Sequence, residues 1–396
     1  MTTMNLVRSL FAMKVSLLFL LMTLAPISFA ASAWTSQNIE EGLAERLYDD
    51  IVSIIKASHP NPNSEFGISA VNLKTGQLFA INGDKNFFMA STYKVAIATQ
   101  LLTLVDENKL QLDKITIITP HDIVPGSGII SQYFSNGNIS MPMLELLKLM
   151  MQQSDNTATD ILLNLAGGPS AVTHRLRELH INQMRVDRST IEFTRDYFGI
   201  QSLPSIPQRN YAKLMEMLSH VPENVAKKAE QAFSNDPRDN TTPNAMVNLL
   251  KTLYEGKALK PKTTELLLNI MSKKDENVGR LFFYLPQDTW IAEKLGTATS
   301  IMNDVGIIKL PHDSGTIIIA IYMKNIPKDD FIQQKVSARI TKTIYDFFLL
   351  NQSNFDTRGM NPRVSTHGKN RDSPLGKTRR VENPAASRRV LCINKI

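Results

Sequence analysis

Strand-forming segments occur near both ends of this chain and are missing from its middle, which narrows the folds open to it. "FGISAVNL" (66–73) and "GQLFAING" (76–83) flank Lys74-Thr75-Gly76, the pattern of a β-hairpin. Strand signals return only in "DTWIAEKL" (288–295), "NDVGIIKL" (303–310) and "GTIIIAIYM" (315–323). Residues 37–58 place Ile39, Leu43, Leu47, Ile51 and Ile55 on one helical face, and 331–350 does the same with Val336, Ile340, Ile344 and Phe347/Phe348. Between the strand groups, residues 90–105, 141–152 and "TATDILLNLAGG" read as helices, the last stopping at Gly167-Gly168. Residues 205–280 continue largely helical, with breaks at Pro204, Pro207, Pro222 and Pro237. The expected fold is α/β. A five-stranded antiparallel sheet is covered by terminal helices (about 37–88 and 287–350), an all-helical lobe spans about 89–286, and a cleft lies between them, where ligand sites are common.

The two termini stand apart from this domain. Arg8 and Lys14 precede the apolar run "VSLLFLLMTLAPISFA", and small residues follow, with cleavage expected after Ala30 or Ala33. Residues 1–33 therefore read as a secretory signal peptide, too short and Pro-interrupted for a membrane span, and Met13 would serve equally as its start. The mature domain is then 34–350, secreted or periplasmic, without a membrane anchor, and expected to be a monomer. Residues 351–396 carry ten Lys/Arg against three acids, the whole of the net charge of +7, while residues 1–350 sum to zero. That segment reads as a basic, disordered tail, and the neutral domain gives no reason to expect a nucleic-acid partner. Cys392 is the only cysteine, so no disulfide frame is available. The seven histidines are scattered without metal-ligand spacing, so neither a metal nor another cofactor is expected.

Three segments could carry chemistry. "MASTYKVA" sets Ser91 three residues before Lys94, at the expected start of a helix. A lysine desolvated in a cleft can lose its proton and activate a serine. An N-cap serine followed by a solvated lysine has the same spacing. "QQSDNTATD" supplies Ser154-Asp155-Asn156 between two helical stretches, and "AEKLGTATS" supplies Lys294-Leu295-Gly296-Thr297 on a late strand.

Together these are the S-x-x-K, S-D-N and K-T-G triplet in order, and the chain resembles class A β-lactamase-like serine hydrolases, within the penicillin-recognising serine enzymes. The resemblance covers most of residues 37–350 and extends to "PGSGII", "DPRDNTTP" and "NDVGIIKL". It implies that Ser91 is acylated, Lys94 assists its deprotonation, and Ser154 relays a proton to the leaving nitrogen. It further implies that Asn156 holds the substrate's side-chain amide, that Lys294 stabilises its carboxylate, and that the N–H groups of Ser91 and Thr297 form the oxyanion hole. Gly296 would let a ligand lie against the strand edge, and Asp155 would be structural.

Three departures bear on this. In the loop resembling D-R-x-E-P-x-x-N, here Asp187 to Thr194, Thr190 stands at the Glu position and Thr194 at the Asn position, and Glu192 follows two residues later. Glu192 is the candidate deacylating base, or else a loop ion-pair partner of Arg188 or Arg195. Leu295 replaces a hydroxyl residue, removing a donor to the substrate carboxylate. Asp304 stands where an Arg is usual, and Arg280 is the candidate replacement. The expected substrate is a β-lactam or a cell-wall peptide. A D-Ala-D-Ala peptidase-like enzyme with slow deacylation and a non-catalytic binder or sensor on the same fold are the alternatives.

Overall fold

The computed structural model describes residues 36–58, 62–233, 235–272, 281, 283–327, 330–351 and 390–392. The expected signal peptide, nearly all of the expected tail, and Arg280 lie outside these residues. Two compact units divide between Leu43 and Ala44; the second holds the elements that position the site.

The main helices are α1 (Ser36–Ser58), α2 (Lys94–Asp106), α3 (Met143–Gln152), α4 (Asn156–Leu165), α5 (Gly168–Glu178), α6 (Thr190–Phe198), α7 (Tyr211–Ser219), α8 (Glu223–Phe233), α9 (Pro243–Tyr254), α10 (Pro261–Ser272) and α11 (Asp330–Leu350). The strands of the main sheet are β1 (Glu65–Asn72), β2 (Leu78–Ile81), β3 (Ile291–Ala298), β4 (Ile301–Lys309), β5 (Thr316–Lys324) and β6 (Val390–Cys392). Their order is β6-β2-β1-β5-β4-β3, and every pair except β6–β2 is antiparallel. The five expected strands thus share one sheet, closed by β1 pairing with β5 from Glu65↔Lys324 to Asn72↔Ile317. The sixth, parallel strand comes from the segment read as a tail, where three apolar positions had given too short a signal.

Side chains alternate across a strand, and here both faces are buried. In β5, Ile317, Ile319, Ile321 and Met323 join a core with Leu47 and Ile51 of α1 and Val336, Ile340, Ile344 and Phe348 of α11. Ile318, Ala320 and Tyr322 join a second core with the helical lobe. Two covered faces explain the unbroken apolar run of "GTIIIAIYM". In the helical lobe, α2 is buried on nearly all sides through Val95, Ile97, Leu101 and Leu102, the property of a central helix. Gly167 caps the end of α4 at φ +94°, where the Gly-Gly pair predicted a stop.

Two small ribbons were not legible in the sequence: Ile115–Ile118 with Ile139–Pro142, and Phe87–Phe88 with Asn240–Thr241. The second ties the residues before Ser91 to those after Asp239. Residues 188–239, which include α6, α7 and α8, are closed at their ends by a buried ion pair. Arg188 Nε donates to Asp239 Oδ2 at 2.6 Å, and its Nη1 reaches Asp196 at 2.9 Å and Asp236 at 3.1 Å. Asp239 Oδ1 accepts the backbone N–H groups of Asp187 and Arg188 at 2.7 and 3.1 Å. Removing one member of a buried pair leaves the other charge uncompensated. Arg188→Ala is therefore expected to lower the unfolding free energy by about 3–5 kcal/mol, measured by urea denaturation.

Candidate active site

Ser91 does not open the α-helix itself. It lies in a 3-10 turn, Ala90–Tyr93, that leads into α2 at Lys94. Ala90 has φ +45°, a left-handed conformation unfavourable for a residue with a Cβ. The surroundings hold it there. Asn303 Nδ2 on β4 donates to the carbonyls of Phe88 at 2.9 Å and Met89 at 3.0 Å. Met89 N–H donates to Asp239 O at 3.0 Å. Thr92 Oγ1 donates to Met89 O at 2.8 Å and lies 3.2 Å from the Tyr322 hydroxyl of β5. Gly296 on β3 completes the clamp. A Cβ there would sit 2.8 Å from Met89 O and 3.1 Å from Ser91 N. The glycine thus admits the Ser91 turn against β3, rather than only a ligand.

Lys94, Ser154, Asn156 and Lys294 meet beside this turn. Lys94 has no exposed surface. Its Nζ donates to Ser154 O at 2.6 Å, Ser154 Oγ at 3.0 Å and Asn156 Oδ1 at 3.2 Å. Lys294, also buried, donates to the same Ser154 Oγ at 3.1 Å and to Leu295 O at 2.9 Å. Burial, then the Lys294 charge, hold the Lys94 amine well below the usual lysine value. A neutral amine has two N–H bonds and one lone pair. Ser154 O and Asn156 Oδ1 can accept the first two, leaving the lone pair for a hydroxyl proton. A N-cap serine with a solvated lysine is therefore not what the chain builds.

Asp155 is structural, as expected. Its carboxylate caps α4 at Ala158 N (2.9 Å) and accepts from Ile130 N (2.8 Å). The "PGSGII" loop packs on this pair. Ser127 O accepts from Asn156 N at 2.9 Å, and Gly128, at φ +112°, has no room for a Cβ beside Asp155. Ser154 itself has φ +54°, so its carbonyl and hydroxyl both turn toward Lys94.

The loop departures resolve differently. Glu192 occupies the capping box of α6: its Oε2 accepts from Ser189 N at 2.8 Å and Ser189 Oγ at 2.9 Å. Among the described residues its side-chain hydrogen bonds go to Ser189, and not to Ser91, Lys94, Arg188 or Arg195. Thr190 is fully buried, and its Oγ1 lies 2.6 Å from the Tyr93 hydroxyl. Asp160, one turn after Asn156 on α4, accepts the N–H groups of Thr190 at 2.6 Å and Ile191 at 3.0 Å. Burial pushes the Asp160 carboxyl up, against these hydrogen bonds and the Lys94 charge. Burial also pushes the Tyr93 phenol well above its usual value, so it stays protonated. Asp304 turns toward α11, where Ser337 Oγ donates to it at 3.1 Å.

Sequence reasoning singled out neither Asn303 nor Asp160. The i, i+4 spacing of Asp160 from Asn156 was the one available signal. Among the described residues, no group of three His, Cys, Asp or Glu side chains could hold a metal ion.

Three substitutions separate packing from capping. Gly296→Ala is expected to cost about 1–3 kcal/mol by forcing β3 from the turn. Glu192→Ala is expected to cost about 1 kcal/mol, while Glu192→Gln keeps the cap and leaves stability nearly unchanged. Urea denaturation midpoints read all three.

Comparison with known proteins points to one family. Residues 46–348 match the family model described as the Beta-lactamase enzyme family. The chain is 26% identical over 308 residues to beta-lactamase VEB-1 of Pseudomonas aeruginosa, covering 76% of this chain and 89% of that protein. It is 24% identical over 291 residues to beta-lactamase SME-1 of Serratia marcescens, covering 73% and 85%. The solved TLA-1 extended-spectrum beta-lactamase superimposes with a TM-score of 0.62 at 24% identity, covering 77% of this chain and 99% of that one. An ancestral (GNCA) class A beta-lactamase gives a TM-score of 0.60 at 27% identity, with 77% and 99% covered. The chain belongs to the Beta-lactamase enzyme family and is a serine β-lactamase-like hydrolase.

Proposed function

We propose that this chain is an exported enzyme that opens the β-lactam amide through an acyl-enzyme on Ser91. The observation that carries the reading is the buried Lys94 amine, three residues after Ser91 and hydrogen-bonded to Ser154 and Asn156. Ser91 Oγ attacks the lactam carbonyl carbon as its proton passes to Lys94. The N–H groups of Ser91 and Thr297 hold the oxyanion. The C–N bond then breaks, and the nitrogen takes a proton from Ser154, which Lys94 resupplies. Lys294 stabilises the substrate carboxylate, and Asn156 holds the side-chain amide. Arg280 is proposed as a further carboxylate contact. Water finally cleaves the ester, releasing the opened product. The catalytic domain is taken as 34–350, with 1–33 as a signal peptide and 351–396 as an appendage. Among the described residues, no helix is long and apolar enough to cross a membrane.

A second reading, acylation with slow release as in a D-Ala-D-Ala peptidase-like enzyme, is favoured by the Thr190 environment. Where a carboxylate base is expected, a threonine hydroxyl lies against the Tyr93 phenol, and Glu192 serves as a cap. Both readings share the first half-reaction and differ in the second.

Time-resolved intact mass of the protein with a penicillin tests both. The expected result is an adduct on the wild type and none on Ser91→Ala. An adduct that persists on Ser91→Ala would remove Ser91 from the mechanism. Decay of the wild-type adduct with release of opened drug supports hydrolysis, while an adduct that stays supports the second reading. The pH profile gives a further check. The Lys294 charge lowers the Lys94 value; removing it raises that value, so the neutral amine appears only at higher pH. Lys294→Gln is therefore expected to move the acylation profile toward alkaline pH.

A further inference from the structure

A pocket of about 180 Å³ lies outside the Ser91 site: Ser91, Lys94, Ser154, Asn156 and Lys294 are all absent from its lining. It is walled by α8, the turn between β3 and β4 at Thr299 and Ser300, the end of β5 at Lys324, and the Phe87–Phe88 ribbon. Three rings line it, Phe88, Tyr197 and Phe233, packed edge to face with centres 4.7 Å (Phe88–Phe233) and 5.3 Å (Tyr197–Phe233) apart. Two acceptors join the rings. Glu230 of α8 accepts from the Tyr197 hydroxyl at 3.3 Å and, among the described residues, makes no ion pair. Asn240 spends its Nδ2 on Asp236 O at 3.0 Å, and its buried Oδ1 has no hydrogen-bond partner. A buried acceptor left unpaired costs free energy until a donor reaches it. The neighbouring cations are already matched. Lys324 lies 3.3 Å from Glu65 Oε2, and Arg188, 4.9 Å from the Phe233 ring centre, is held by Asp196, Asp236 and Asp239.

We infer that this pocket binds a small organic cation, a primary ammonium or guanidinium carried on an apolar stem. A carboxylate without a counter-ion attracts positive charge, and the donors of such a cation suit both Glu230 and the idle Asn240 Oδ1. The rings add cation–π attraction and cover the stem. Size agrees, since a cavity of about 150 Å³ holds benzene. An anion would meet Glu230 as a like charge, and a neutral molecule would leave that carboxylate without a counter-ion. The site is apart from the acylation chemistry, and the inference stands whether or not Ser91 is the nucleophile.

Ligand-observed NMR titration of the full-length protein near neutral pH, with benzylamine and with its neutral counterpart benzyl alcohol, tests the proposal. The expected result is benzylamine binding about tenfold or more tighter than benzyl alcohol, with that preference lost in Glu230→Gln. Glu230 is half-buried, and the glutamine amide still offers Tyr197 an acceptor, so the variant keeps the fold; circular-dichroism melting checks this. Dependence on Glu230 also locates the probe, because Glu230 lines this pocket. Absence of benzylamine binding, equal affinity of the wild type for the two probes, or an undiminished preference in the folded variant would overturn the proposal. The wild-type comparison alone is enough to do so, whatever the behaviour of the variant.

Discussion

Burial of one lysine amine organises the centre of this protein. Taking an ammonium out of water is costly unless it is paired or gives up its proton. Lys94 has no exposed surface and meets Ser154 and Asn156. Its neighbour Lys294 adds a like charge that favours the neutral form. The amine also joins segments far apart in the chain, since α2 begins at Lys94 and the Ser154 loop lies between α3 and α4. The left-handed Ser154, the Asp155 cap and the glycines of the 125–128 loop bring polar groups to that amine.

The Ser91 turn is held from the other side by the sheet. Asn303 of β4 takes two of its carbonyls, Tyr322 of β5 reaches Thr92, and the bare Cα of Gly296 lets β3 approach. An alanine at φ +45° is sustained only because its neighbours are fixed on several sides. The position of Ser91 is therefore a property of strands drawn from the end of the chain, not of the short segment that contains it.

Much of this was legible in the sequence, for identifiable reasons. The apolar runs of β1 to β5 stood out because both faces of the sheet are covered, and helix stops were marked by Gly167-Gly168 and by prolines. Lys94, Ser154, Asn156 and Lys294 could be singled out because they sit in three short patterns at fixed spacings, and the fold brings these four side chains together. Asn303 was hidden, because a polar residue opening an apolar strand looks like an ordinary strand end. Asp160 was hidden because its partners, the N–H groups of Thr190 and Ile191, are 30 or more residues away in the chain. The place of Glu192 was ambiguous, because a carboxylate three residues after a serine serves a helix cap as readily as a base. The reason for Gly296 lay in a contact between β3 and the Ser91 turn that no local pattern records.

The closure of residues 188–239 reaches further than its own stability. Asp239 holds Arg188 through its side chain and the Met89 amide through its carbonyl, so one residue anchors both the segment's end and the Ser91 turn. With its two ends fixed in this way, α7 and α8 are anchored at both sides, while the start of α6 still touches the site through Thr190. Lengthening such a loop is cheap, about 0.6 kcal/mol for each doubling. The part formed by α7 and α8 is thus an exchangeable panel. A lineage could redraw it by insertion, deletion or repacking while Ser91 and Lys94 keep their places.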